Sequence, residues 1–199
     1  MSKSLLNQIY TSEDEAFRAF NKVRKELWKN LGVLWAGSKL DKVGFKHLSV
    51  APIAALSGTM GLYQPETKEI EFPSVYLPIQ ALWRDLGVKA NALDVIRHEF
   101  GHALADLYPE TLKKGGVFYK AFRGTYGPEP ARGTNPKNWK GRCVSEYAAT
   151  ATQEDFAETF MLFVKHKGKI PAKFAEVSPI KKKWDAVSEI CRRVAACVE

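Results

Sequence analysis

Cysteines and long apolar runs are scarce in this sequence, and each scarcity excludes a class of protein. The chain has three cysteines among 199 residues, an odd number that is too small for the disulfide framework of a secreted mini-protein. No apolar run reaches the roughly 20 residues that a membrane-spanning helix needs. The first residues, MSKSLLNQIYTSEDE, lack the apolar core of a signal peptide. We therefore expect a cytoplasmic protein that does not enter a membrane.

The overall composition is that of an ordinary globular chain. Hydrophobic residues make up 45% of it and charged residues 26%, which excludes a disordered or low-complexity protein. No repeat or linker-like segment divides the sequence, and its length suits one hydrophobic core. We predict a single domain over residues 1–199.

Positive charge is concentrated in one part of the chain. The formal net charge is +8, and the segment 108–144 carries eight basic residues against two acidic ones. A second basic cluster spans residues 165–183. Such charge is typical of a solvated surface, but it can also attract nucleic acid, a membrane surface or an acidic substrate. Because no nucleic-acid-binding motif accompanies it, the charge alone assigns no partner.

Apolar periodicity predicts four helices, over residues 12–31, 91–107, 152–166 and 179–197. Ser12 and Asn91 have the residue types of N-caps for the first two. The third is expected to begin just after Thr152, with Thr152 and Asp155 forming its capping pair.

Strands are expected between the first two helices. Residues 45–63 mix β-branched and aromatic residues with glycines, which predicts one or two strands. Residues 61–72 predict a hairpin, because alternating residues flank turn chemistry at 64–67. Residues 108–145 are expected to be mostly loop, with GVFYKAF at 116–122 as a candidate strand. The predicted fold class is α+β, with a small sheet packed on the helix 91–107.

The most informative stretch is His98-Glu99-Phe100-Gly101-His102, an HExxH motif. Two imidazoles four residues apart project from the same face of a helix and can share one zinc ion. The glutamate after the first histidine can then act as general base towards water on that ion. The same helix has an apolar back, whereas the histidines and Asp106 share the opposite side.

A catalytic zinc needs a third protein ligand. Ala105 and Tyr108 occupy the positions where an HExxHxxGxxH motif requires Gly and His, so that arrangement is excluded. Glu154 and Glu158 lie one turn apart, opposite the apolar stripe of their helix. Either one of them is a metal ligand and the other orients a histidine, or the two form an ordinary surface pair. Cys143 is interpreted as a packed thiol rather than a ligand.

HEFGHALAD, followed by Tyr-x6-Glu-Asp-Phe-Ala-Glu at 147–158, resembles the gluzincin metallopeptidases of the anthrax-lethal-factor catalytic-domain type. In that family the helix motif is followed by Tyr-x6-Glu-Phe-Phe-Ala-Glu, and the likeness covers about residues 91–165. The departures are Asp155, which replaces an aromatic residue, and Ala151, where some relatives carry Asn.

The resemblance implies a zincin-like domain with one Zn²⁺ per chain. It implies that the zinc ligands are His98, His102 and Glu154. It further implies that Glu99 is the base and that Tyr147 stabilises the transition state. Glu158 and Asp106 match the family's second acidic residue and helix-end aspartate.

Three functions are compatible with these residues. The first is a zinc-dependent endopeptidase that acts on protein or peptide substrates, with the strand around Ile70–Tyr76 as the sheet edge along which the substrate lies. The second is a zinc-stabilised module that binds nucleic acid or an acidic protein and has lost hydrolysis. The third is a peptidase directed at proteins associated with nucleic acid.

The basic segment 108–145 lies between His102 and Glu154 in the sequence. Because those two residues would meet at one metal ion, we expect this segment to form one wall of the substrate groove and to favour either acidic peptides or proteins bound to nucleic acid. The cations expected there are Lys113, Lys114, Arg132 and Arg142.

Overall fold

The computed structural model describes residues 13–29, 37–48, 61–73, 92–123 and 139–196. Within them lie six α-helices and three strands, so the molecule is mixed α+β and mostly helical, as expected. The helices are α1 (Glu13–Lys29), α2 (Ala92–Leu107), α3 (Val117–Phe122), α4 (Thr152–Lys165), α5 (Ala172–Ala175) and α6 (Ser178–Ala196). The strands are β1 (Gly44–Leu48), β2 (Leu62–Gln64) and β3 (Glu69–Pro73). Single turns of 3-10 helix occupy Lys39–Lys42, Pro109–Leu112 and Tyr147–Ala149.

The predicted hairpin is confirmed. β2 and β3 pair antiparallel, and the turn between them closes with a hydrogen bond of 2.9 Å from Lys68 N to Gln64 O. Lys68 adopts a left-handed conformation with φ of 60°, which lets the chain reverse within four residues. Of the strands expected over 45–63, β1 and the start of β2 are present, and residues 49–60 lie outside the described part of the chain.

The expectation that Ile70–Tyr76 forms a sheet edge is wrong for the residues that are described. β1 pairs parallel with β3, so the strand order is β1-β3-β2 and β3 lies in the middle. Residues 74–76 are outside the described ranges. The sheet edge that packs against α2 is β2 instead.

α2 runs through the centre of the molecule, in contact with α1, α4 and β2. Its predicted apolar back is confirmed, since Ile96, Phe100 and Leu104 are fully buried. Phe100 stacks on Phe20 of α1 with ring centroids 5.6 Å apart. The front of α2 is also covered, because its histidines face α4 and Asp106 contacts the hairpin.

The segment GVFYKAF is a helix, not the candidate strand. Phe118 and Phe122 stand one helical turn apart, stack at 4.8 Å and both pack edge-on against Phe156 of α4. Helical spacing therefore places both rings in the same core, and this packing overrides the strand preference of aromatic residues.

The apolar stripe of α4 is confirmed, with Phe156, Phe160 and Val164 buried. Its predicted cap is wrong. α4 begins at Thr152 after an extended Ala151, with no capping hydrogen bond from a side chain. Asp155 turns instead into the core, where it meets Lys183 of α6. The caps expected at Ser12 and Asn91 lie outside the described residues.

The last helix, α6, matches its prediction to within one residue at each end. Among the described helices, none has the length and apolar character required to cross a membrane.

Candidate metal centre

A glycine allows α2 and α4 to approach each other closely enough for their polar side chains to meet. A Cβ atom at Gly101 would lie 2.9 Å from the Cα atom of Ala157, well inside the 3.5–4.0 Å at which carbon atoms pack. Gly101 is the fourth residue of the HExxH motif, so the motif itself provides the close contact. The histidines one turn apart on α2 therefore face the first two turns of α4.

Three side chains from these helices converge on one point. The Nε2 atom of His98 lies 3.1 Å from the Nε2 atom of His102 and 3.1 Å from Glu154 Oε2. The third separation, from His102 Nε2 to Glu154 Oε2, is 3.6 Å. Within the ranges described, these three residues are the one group of His, Cys, Asp and Glu side chains arranged to hold a metal ion.

The spacing suits a tetrahedral ion. Nitrogen and oxygen ligands about 2.0–2.1 Å from zinc lie about 3.3 Å from one another in a tetrahedron. The three measured separations of 3.1, 3.1 and 3.6 Å lie on either side of that value. Three protein ligands leave a fourth position open, as in catalytic rather than structural zinc sites. The donor set therefore fits a zinc ion.

Glu158 orients the first histidine. Its Oε1 atom lies 2.9 Å from His98 Nδ1, so this ring nitrogen is engaged and Nε2 is directed to the shared point. Ser145 then donates a hydrogen bond of 2.7 Å to the other carboxylate oxygen of Glu158, and its hydroxyl accepts one from Ala148 N at 3.0 Å. The pair Glu154 and Glu158 is thus turned inward, not displayed on the surface.

The electrostatics of the centre favour a positive charge. Burial alone would lower the pKa of His98, but the carboxylates of Glu154 and Glu158 outweigh burial and raise it to about 10. Burial would raise the pKa of Glu154, but His102 and His98 outweigh it and lower that pKa well below its usual range. The carboxylates therefore stabilise a cation between the two helices.

Glu99 is held by the sheet. Its Oε2 atom accepts a hydrogen bond of 2.8 Å from the backbone N–H of Tyr63 on β2. The close approach of β2 depends on Gly61, where a Cβ atom would lie 2.7 Å from Val95 Cγ1 and 3.3 Å from Glu99 Cγ. One carboxylate oxygen is thereby fixed, which orients the whole group.

Tyr147 lies in the 3-10 turn just before α4, with its ring centroid 5.8 Å from that of His98. The side chain is 53% exposed. Partial burial and the carboxylate of Glu154 raise the pKa of its phenol. The phenol therefore keeps its proton at neutral pH and can act as a hydrogen-bond donor beside the converging ligands.

Asp106, expected near the histidines, connects α2 to the hairpin. Its Oδ2 atom accepts hydrogen bonds of 2.7 Å from Tyr63 OH and 2.7 Å from Lys68 Nζ. Since Tyr63 also binds Glu99 through its backbone, Asp106 helps to hold the strand that orients that carboxylate.

Other expected residues stand apart from this group. Lys113, Lys114 and Arg142 are exposed, and Arg132 lies outside the described residues, so a basic groove wall stays a prediction. Cys143 is 2% exposed and belongs to no metal-binding group among the described residues, in agreement with a packed thiol.

Two groups that orient the centre were missed from the sequence. Ser145 stands only two residues before Tyr147, but nothing in its spacing indicates a bond to Glu158. The Tyr63 N–H carries no sequence signal, since every residue except proline has a backbone N–H. Gly61, two residues before Tyr63, and Gly101, inside the HExxH motif, are the signals that could have indicated close backbone approach.

Compared with known proteins, the chain matches no family model, no curated protein and no solved structure. The likeness to lethal-factor-type peptidases therefore rests on the motif residues alone.

Proposed function

We propose that this chain is a zinc-dependent endopeptidase with a zincin-like fold. The observation that carries the proposal is the convergence of His98, His102 and Glu154 at separations that suit a tetrahedral ion. The presence of Glu99 on the same helical turn and of Tyr147 beside it extends the proposal from metal binding to hydrolysis. A purely structural zinc site needs neither group.

His98, His102 and Glu154 would hold the ion. When bound, zinc would supply Lewis acidity, which lowers the pKa of water and polarises a peptide carbonyl. Glu99 takes the proton from the attacking water and delivers it to the leaving amine. Its carboxylate is already oriented for this task by the Tyr63 N–H.

Tyr147 donates a hydrogen bond to the oxygen that becomes negative as the carbonyl is attacked. This role requires the protonated phenol, and the raised pKa of Tyr147 favours that form. Its half-exposed position before α4 suits a group that must meet a substrate arriving from solvent.

The test is cleavage of a peptide library by zinc-loaded protein beside the Glu99→Gln variant. Gln retains an oxygen that can accept the Tyr63 hydrogen bond, so the variant should fold and bind zinc like the wild type. Loss of the base should lower turnover on the order of 10²–10⁴-fold.

Substantial turnover by Glu99→Gln would refute the proposed chemistry. If the wild type cleaves no peptide but loses stability on chelation, the chain is instead a zinc-stabilised binding module. A surface variant, Glu176→Gln, serves as the matched control because Glu176 is exposed.

A further inference from the structure

A charged side chain is buried on α6, some distance along the chain from the metal centre. Lys183 is 6% exposed, and its ammonium group has three polar neighbours. It forms an ion pair with Asp155 Oδ2, donates a hydrogen bond of 2.6 Å to Arg142 O and lies 3.5 Å from Cys143 Sγ. An ammonium has three N–H donors, so these neighbours account for all of them.

The three acceptors belong to two parts of the proposed active site. Asp155 directly follows Glu154 in the first turn of α4. Arg142 and Cys143 belong to the segment that leads into the 3-10 turn of Tyr147. Lys183 therefore joins the segment that carries the phenol to the helix that carries the third metal-binding side chain.

This segment also has direct side-chain contacts with α4. The thiol of Cys143 lies 3.8 Å from Asp155 Oδ2, and Ser145 donates a hydrogen bond to Glu158. All of these contacts lie on the same side of Tyr147, at residues 142–143 and at 145. The Tyr147 side chain is half exposed, and its contacts are with His98 and with the Glu154 carboxylate of the metal centre. The backbone before it must therefore be held in place for the phenol to stay beside those two residues.

Stability alone does not explain a buried ammonium at this position. Replacing a buried ion pair by apolar residues of similar volume is often neutral or stabilising. An apolar partner is present, because the ammonium of Lys183 lies 5.8 Å from the centroid of the buried Phe122 ring. The ammonium instead makes the packing specific, because its three polar neighbours define one arrangement of residues 142–143 relative to α4.

We propose that Lys183 is a positioning residue that acts through Arg142, Cys143 and Asp155 to hold Tyr147 beside the metal centre. This inference rests on the proposed function for the role of Tyr147, but the placement of its ring can be measured without turnover.

The main variant is the pair Lys183→Met with Asp155→Asn. Lys183→Met alone would leave a buried carboxylate without its cation and could unfold the protein, whereas the double variant removes both charges. Lys182→Met is the matched control, since Lys182 is the exposed neighbour on the same helix.

The first measurement is fluorine NMR of protein labelled with fluorotyrosine. The chain has seven tyrosines, and the resonance of Tyr147 is assigned by its loss in Tyr147→Phe. We expect the Tyr147 resonance of the folded double variant to broaden and move towards the unfolded position, while that of Tyr119 and the Lys182→Met spectrum stay unchanged. An unchanged Tyr147 resonance overturns the inference whether or not the protein cleaves peptides.

The second measurement is a mutant cycle on kcat. The double variant should keep stoichiometric zinc but lose about 10–100-fold in kcat, because displacement of a reacting group by about 1 Å can cost 100-fold. In a Tyr147→Phe background the same two substitutions should change kcat less than about twofold.

Equal losses in both backgrounds would show a general structural effect and overturn the inference. If the proposed function is wrong, no turnover that depends on Glu99 is observed. The fluorine measurement then still decides whether Lys183 positions Tyr147.

Discussion

Two polar clusters lie side by side along α2, and they differ in charge balance. The ion-pair cluster consists of Glu26, Asp94, Arg97 and Lys165. The metal cluster consists of His98, Glu99, His102, Glu154 and Glu158. Arg97 and His98 are neighbours in the sequence, and both are less than a tenth exposed.

The ion-pair cluster is neutral as it stands. Arg97 binds both oxygens of Glu26, at 2.8 and 3.0 Å, and Asp94 Oδ1 at 2.6 Å. Lys165 contacts the other oxygen of Asp94 at 2.7 Å. Two cations therefore face two anions, and the network joins α1, α2 and α4 without need of a ligand.

The metal cluster holds three carboxylates and two imidazoles, which carry excess negative charge unless a proton or a metal ion joins them. The raised pKa of His98 expresses this excess, because its neighbouring carboxylates favour the charged ring. Buried polar groups that balance one another connect helices. Buried groups that require an added cation form a binding site.

The largest expected effect on the contrast between the two clusters comes from removing the two imidazoles of the metal cluster. We expect His98→Ala His102→Ala to lose its zinc entirely, because one carboxylate is left from the proposed ligand set. Elemental analysis of wild type and variant measures this directly. Stoichiometric zinc in the variant would mean that the metal cluster has been assigned to the wrong residues.

The sequence predicts those parts of the fold and site that depend on local periodicity. α2, α4 and α6 each keep an apolar stripe over three or more turns, so their existence and approximate ends could be predicted. The HExxH spacing places two imidazoles on one face of any helix. Glu154 and Tyr147 could be connected to the two histidines only through a family resemblance, because the residues between His102 and Tyr147 have no helical period.

The parts that could not be predicted depend on partners distant in the sequence. β3 is central because β1, which begins 25 residues earlier, pairs with it. Asp155 has the spacing of a capping residue, but its partner Lys183 lies 28 residues later. A short run such as 116–122 fits a strand or a helix equally well by periodicity, and contact of its two phenylalanines with Phe156 decides between them.

The ion-pair cluster should respond to substitution in the opposite way. Arg97→Met removes the buried cation that Asp94 shares with the partly buried Glu26. Because Lys165 still contacts Asp94, the loss should be about 3 kcal/mol, the lower end of the range for a broken buried pair. Zinc stoichiometry should stay at one per folded chain, because Arg97 contributes no atom to the metal cluster. Denaturant unfolding and metal analysis on the same sample separate the two effects, and loss of zinc from folded Arg97→Met would refute the distinction between the clusters.

A smaller effect should distinguish groups within the metal cluster. Glu158→Gln keeps the ligand atoms but removes the charge that orients His98, so zinc affinity should fall about 10- to 100-fold. Competition with a chelating dye measures the change, with Glu176→Gln as control. An affinity equal to that of the wild type would show that Glu158 is only a structural neighbour.

The smallest expected effect is a pH dependence of the metal-free protein. The pKa of His98 is about 10 in the folded chain, against about 6.5 for an unperturbed histidine. Between these values the folded state binds more protons than the unfolded state. The contribution of His98 to the free energy of unfolding is therefore fully present below about pH 6.5 and is lost as the pH rises towards 10. The decline should be present in chelator-treated wild type and smaller in Glu158→Gln, which lacks one of the carboxylates that raise this pKa. NMR of the imidazole checks the cause, because the ring of His98 should stay protonated at pH 8. If that ring titrates near 6.5 instead, the metal cluster does not favour a cation and its contrast with the ion-pair cluster is lost.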